Sequence, residues 1–283
     1  MERSKSVSGD VHTSFDLKGF WRKMVDEKLA LGYCLLARLR LVCMINTSMR
    51  YERDMTDSVR AWMEGRGLSV RTECASQSGI CDLVGVSFRK RSVRRRLALR
   101  QRSVIGSETD VSVLALLPDA EHSDGITPGE AADALGGVLS LGEIDATLAK
   151  LERRRFAERR GNRFAKLNGW MPLHLRIVAV ELKLDRIDEV VQQAVNHTGF
   201  ATESFIGLPT DVAERLVRSS RVQRVLDAGV GILSVGDSHV RVLRRSRPLI
   251  DNVIPWLQMH MIERFWRDAQ RQFSISASAI DSG

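Results

Sequence analysis

Between Glu52 and Arg66 the apolar positions Met55, Val59, Trp62 and Met63 fall at i, i+4, i+7 and i+8. That spacing predicts one amphipathic helix, ended by Gly65 and Gly67. Leu68–Cys74 reads as a strand, and Ile80–Phe88 as a second one after Gly79. Val111–Leu117 predicts a short apolar helix stopped by Pro118. Thr127, Pro128 and Glu130 carry the N-cap, first-turn proline and N3 acid of another helix. Ser140 and Glu143 repeat the capping box ahead of the stripe Ile144, Leu148 and Leu151. Phe156–Arg160 and Arg163–Leu167 read as a hairpin around Gly161-Asn162. Leu175–Leu184 is a strand with the largely apolar start of a buried central strand. Ile187, Val190, Val191, Ala194 and Val195 predict the helix after it, and Ser204–Leu208 is a strand stopped by Pro209. One helix is expected over Val212–Leu226, capped by Gly229. A hairpin of Ile232–Val235 and His239–Leu243 follows around Gly236-Asp237-Ser238. Val253–Phe273 predicts a last amphipathic helix within 246–273, and 274–283 is expected to be a disordered tail.

Residues 1–50 stand apart. The apolar run Leu29–Ile45 contains Arg38 and Arg40, which argues against a membrane-spanning helix. The segment reads either as a helical arm or as a leader upstream of a start at Met44, Met49 or Met55, with little order expected. Cys34, Cys43, Cys74 and Cys81 form no C-x-x-C. They read as small core residues in a reducing, cytoplasmic setting rather than a disulfide framework.

The chain of 283 residues has 43 Lys+Arg against 35 Asp+Glu, a net charge of +8. That balance favours a polyanionic partner, above all nucleic acid. Only eight of the 43 cations are lysines, so a lysine in an apolar strand stands out. The connector 89–108 opens with RKRSVRRRLALRQR, eight cations and no acid in fourteen residues. Arg89, Lys90, Arg91, Arg94, Arg95 and Arg96 are therefore candidates for phosphate contact. Three helices and a basic hairpin over 109–170 look like a winged helix-turn-helix. Its recognition helix begins with Glu143 and Asp145, which repel phosphate. Contact is expected instead through Arg153, Arg154 and Arg155 and the wing arginines Arg159, Arg160 and Arg163. Arg241, Arg244, Arg245 and Arg247 form a further cluster, which reads equally as a phosphate track or a solvated strand end. No Walker loop, Rossmann glycine pattern or G-x-S-x-G is present.

With 109–170 set aside, 51–88 and 173–245 leave helix, three strands, helix and strand. Asp82 lies near the start of the second strand and Glu181-Leu182-Lys183 at the end of the third. Alternation puts Glu181 and Lys183 on one side. Charges there are costly unless they are paired or bind something. Two carboxylates on neighbouring strands suit Mg²⁺ or Mn²⁺. Asp82…Glu181-x-Lys183 on such a core resembles the PD-(D/E)XK, restriction-endonuclease-like nuclease superfamily. The resemblance implies an α/β fold with an αβββαβ core and an inserted winged helix. It further implies metal-dependent hydrolysis of phosphodiester bonds, with DNA the expected substrate. Asp82 and Glu181 would be the metal ligands, Lys183 the catalytic lysine and Gln193 a supporting residue on the next helix. Gln193 is spaced i, i+4 with His197.

Two departures accompany it. Residue 81 is Cys and not Pro, although that Pro is often absent in the family. Asp82 and Glu181 are 99 residues apart, although excising Arg89–Pro172 leaves an ordinary 15. Glu52, Asp57 and Glu64 are the candidates for a first-helix acid, with Asp57 the expected one. The resemblance admits a homodimer, since many relatives dimerise to cut two strands, and the winged helix leaves room for a protein partner. The competing expectation is a non-catalytic DNA-binding regulator or assembly factor that keeps the fold.

Overall fold

The computed structural model describes residues 51–76, 79–167, 170, 172–247 and 253–278. The expectations for 1–50 and for 279–283 lie outside the described residues. The architecture is mixed α/β: a six-stranded mixed sheet, a separate two-stranded hairpin and ten helices among the described residues. No helix among them is long and apolar enough to cross a membrane.

Helix α1 (Arg53–Glu64) buries Met55, Val59 and Met63, one stripe at i, i+4, i+8. The stripe packs on Leu83, Val178, Val180, Leu182 and Phe205. The approach is close: a Cβ on Gly85 would sit 2.6 Å from the Met63 methyl, so this strand position takes only glycine without a shift. Strands β1 (Ser69–Ser76) and β2 (Gly79–Phe88) pair antiparallel from Ser69↔Val86 to Ser76↔Gly79. Strand β5 (His174–Leu182) then pairs antiparallel with β2 and parallel with β6 (Glu203–Pro209). β7 (Gly231–Val235) runs parallel to β6, and β8 (Val240–Arg244) closes the edge antiparallel. The sheet order is thus β1-β2-β5-β6-β7-β8.

Between β2 and β5 the chain forms α2 (Lys90–Ala98), α3 (Glu108–Leu116), α4 (Pro128–Ala134), α5 (Leu141–Arg153) and the hairpin β3 (Ala157–Arg160) and β4 (Arg163–Lys166). Both capping boxes form, Thr127 with Glu130 and Ser140 with Glu143. An apolar cluster of Leu114, Leu117, Ile144, Leu148, Leu151 and Phe156 holds these elements together. The excursion leaves and re-enters at one place, because the Arg89 N–H donates to the Leu173 carbonyl at 2.6 Å.

Two expected helices are each divided. Residues 210–227 form α7 (Thr210–Arg218) and α8 (Val222–Asp227), after α6 (Ile187–His197) and β6. The Ser219 hydroxyl bonds back to the Leu216 carbonyl and Ser219 turns extended, which ends the first piece. The C-terminal helix divides at Phe265 into α9 (Pro255–Arg264) and α10 (Trp266–Ser278). The break lets two consecutive aromatics, Phe265 and Trp266, both be fully buried. The final helix runs to Ser278, past Ser274, where a tail was expected to begin.

The basic connector is not uniformly a solvent-facing surface. Arg96 on α2 is fully buried and pairs with Glu263 of α9, itself 1% exposed. Its guanidinium also donates to the Gln101 carbonyl at 3.2 Å and the Ser103 carbonyl at 2.9 Å, and lies 3.9 Å from the Trp266 ring centre. Glu263 accepts the Ile105 N–H at 2.8 Å as well. A charge this deep is tolerated because nearly every donor and acceptor is matched. Arg96 is therefore a structural cation, and the expectation that it meets phosphate is corrected. Arg96→Ala should cost about 3–5 kcal/mol in urea unfolding, since it strands the Glu263 carboxylate. An Arg96→Met, Glu263→Leu double variant should recover most of that loss. A single variant within about 1 kcal/mol of wild type would contradict this role.

Candidate functional site

Asp82 and Glu181 meet where the β2–β5 ladder stops. Regular pairing ends at Leu83↔Val180. One step further, the two carboxylates take over from the backbone. The Leu182 N–H donates to Asp82 Oδ2 at 2.7 Å, and the Asp82 N–H donates to Glu181 Oε2 at 3.2 Å. On the other side of β2, Glu73 faces this point with a left-handed φ of 52° and is missing from the β1–β2 register. The chain sequence thus places acids where two ladders loosen together.

Glu181 is 2% exposed. Its Oε2 also lies 3.2 Å from Nε2 of His197, the equally buried last residue of α6. His197 packs against Phe200 with ring centres 5.5 Å apart. Its Nδ1 has no hydrogen-bond partner among the described residues, and neither does Oε1 of Gln193, one turn earlier on the same face. Cys81, fully buried, sends its thiol to the Leu83 carbonyl at 3.3 Å and the Val180 carbonyl at 3.6 Å. Burial, then the Glu181 and Asp82 carboxylates, push that thiol well above its ordinary range.

Lys183 lies one residue beyond the strand. The alternation that was to put Glu181 and Lys183 on one side ends at Leu182, and the two take different partners. Lys183 Nζ is 3.2 Å from Glu52 Oε2, at the start of α1. Glu52 is accordingly the first-helix acid of this cluster. Asp57 is exposed and stands five residues on, about 140° round the helix axis, so its candidacy is corrected. Glu64 is exposed at the far end of α1. Contacts thus join Asp82, Glu181 and His197 in one group and Lys183 and Glu52 in another, and the charges of the second pair act on Asp82; Gln193 lies on the His197 face.

The proposed phosphate contacts divide into two sets. Arg89, Lys90, Arg91, Arg94, Arg153 and Arg155 are exposed, with no ion pair to a described acid. Arg95 pairs with Glu121, and Arg154 with Asp110 at 3.7 Å. The wing arginines are engaged inside the fold. Arg159 donates to the Gly161 carbonyl at 2.8 Å, and Arg160 to Ser123 and Ala120 at 3.1 and 2.8 Å. Arg163 bonds the Gly125 carbonyl at 2.8 Å and pairs with Glu130 at 3.0 Å. Of the later cluster, Arg241 pairs with Glu214 at 2.8 Å.

The sequence pattern noticed His197 but assigned it no role, because a histidine at a helix end carries no spacing signal towards a strand 16 residues back. Cys81 registered as a small core residue and as a departure from a family pattern, not as a ligand.

No protein-family model and no curated protein matches the chain. Among solved structures it is similar to a protein of unknown function, SPO1766 from Silicibacter pomeroyi, at 17% identity and a TM-score of 0.25. That match spans 38% of this chain and 66% of the other.

Asp82 titrates upward, from 3.8 to about 6, because burial and then the neighbouring Glu181 charge oppose ionisation against the Leu182 N–H bond. A raised carboxyl holds its proton more tightly folded than unfolded. Its contribution is complete at low pH and is lost as pH rises through about 6. Without divalent cations, Asp82→Asn should therefore melt a few degrees above wild type at pH 8, and the gap should close towards pH 4. A wild-type protein at least as stable as the variant at pH 8 would overturn the assignment.

Proposed function

We propose that the protein is a metal-dependent nuclease of the PD-(D/E)XK type, acting on DNA. The observation that carries the reading is the meeting of Asp82 and Glu181 at one break in the sheet, with the Lys183 charge near enough to act on Asp82. It is supported by the order of the sheet elements. With the insert set aside, α1, β1, β2, β5, α6 and β6 follow one another as helix, three strands, helix and strand. The α3–β4 unit, three helices and a hairpin, supports an inserted winged helix.

The donor set fits a hard cation. Two carboxylate oxygens from adjacent strands share a partly buried place, and burial, with the neighbouring Glu181 charge, holds Asp82 up at about 6. Asp82 and Glu181 would hold Mg²⁺ or Mn²⁺, which supplies Lewis-acid stabilisation of phosphoryl charge and makes water more acidic. The chain's own groups do the rest. The Leu182 and Asp82 amides fix the orientation of the two carboxylates. Lys183, held by Glu52, presents an ammonium to the attacking water and to charge developing on the phosphate. The exposed Arg89, Lys90, Arg91 and Arg94 supply backbone attraction in this reading, and Arg153 and Arg155 extend it.

The second reading, a DNA-binding protein without cleavage, is favoured by one observation. Glu181 is nearly sealed from solvent, and one of its oxygens is already shared by His197 and an amide. Nicking and cleavage of plasmid and single-stranded DNA with Mg²⁺, Mn²⁺ or EDTA decides between them. Cleavage should need the metal and fall at least about 100-fold in Glu181→Ala and Lys183→Ala. Absence of cleavage, with salt-sensitive DNA binding retained in all three proteins, would establish the binding-only reading.

A further inference from the structure

Behind the carboxylate pair lies a second donor set. The thiol of Cys81, a carboxylate oxygen of Glu181 and a ring nitrogen of His197 lie within 4.8 Å of one another, and all three residues are buried. They come from three elements: β2, β5 and the end of α6. We propose that Cys81, Glu181 and His197 form a binding site for a thiophilic divalent cation of the Zn²⁺ class.

Three features carry this. The first is reach. Zinc bonds of about 2.0–2.3 Å in a tetrahedron place ligand atoms roughly 3.3–3.8 Å apart. Glu181 and His197 already stand at 3.2 Å, so only the thiol must move, by about an ångström. The second is charge. A thiolate and a carboxylate neutralise a divalent ion, so the loaded site puts no net charge into a place that is at most 2% exposed. The third is ligand type. One sulfur, one imidazole nitrogen and one carboxylate oxygen select a borderline-soft ion, whereas Mg²⁺ avoids sulfur. Buried donors with loose or missing partners agree. Cys81 makes only sulfur contacts to carbonyls, and His197 Nε2 has no hydrogen-bond partner besides Glu181 among the described residues. On binding, the Cys81 S–H bond breaks, its proton leaves to solvent, and the sulfur–metal bond replaces it with no change of oxidation state. Three protein ligands leave a fourth position for water.

The site shares Glu181 with the nuclease reading but does not depend on it, because its test needs no cleavage. The full-length protein is titrated with Co²⁺, the spectroscopic stand-in for zinc, while absorbance is followed. One equivalent should give a thiolate-to-cobalt charge-transfer band in the near ultraviolet. Zn²⁺ should abolish the band and Mg²⁺ should not. Cys74→Ala should keep the band, and Cys81→Ala should lose it. His197→Ala asks the same question from the helix, leaving the strands untouched, and should weaken Co²⁺ at least tenfold. Circular dichroism melts check the folding of each variant. No band in wild type, a band that survives Cys81→Ala, or unchanged affinity in a folded His197→Ala protein would overturn the proposal and leave His197 as a hydrogen-bonding support for Glu181.

Discussion

A buried guanidinium ties the two halves of this fold together. Arg96 belongs to the first helix of the excursion, Glu263 to the C-terminal pair of helices, and the Ile105 amide to the entry of the inserted unit. Neither charge survives burial alone, so each element must be in place for the others to be. Trp266 closes the stack and sends its indole N–H to the Arg102 carbonyl at 2.9 Å. The C-terminal helices thus act as the clamp that holds the connector against the sheet.

On the far side of the connector, the sheet does the opposite and gives way locally. A carboxylate in the middle of a ladder has to be answered by donors. Here Asp82 and Glu181 answer each other's strands, each taking a backbone N–H that the regular ladder no longer uses. The outcome is an anionic pair that is stiffly oriented and poorly compensated, with a lysine on one side and a histidine and a thiol on the other. Such an arrangement is costly as plain architecture, which is why it draws a functional reading.

Much of this was legible in the chain because the period is short. The apolar runs in Leu175–Leu184 and around Val84 mark the two strands locally, whereas the expectation that Asp82 and Glu181 sit on neighbouring strands came from the family resemblance. The capping boxes at Thr127 and Ser140 are likewise local, and both form. Arg96 was illegible. A charge count treats it like Arg94 and Arg95, and its partner lies 167 residues away. Glu52 could not be preferred over Asp57 until the rotation of α1 against the sheet was known. The breaks at Ser219 and Phe265 escaped a hydrophobic pattern because a hydroxyl turned on its own backbone makes one. Demand for two adjacent buried rings makes the other.

The hydrogen bond between Arg89 and Leu173 bears on how the chain finds its fold. Asp82 and Glu181 are separated by 99 residues, and closing so long a loop ahead of any reward slows the pairing of β2 with β5. The inserted helices carry an apolar cluster of their own. Collapse of that cluster ahead of the sheet would bring the two ends of the excursion together, so that the sheet would meet a short effective loop instead of a long one. In that order of events the insert would serve as a folding staple for the central strands, whatever else its surface touches.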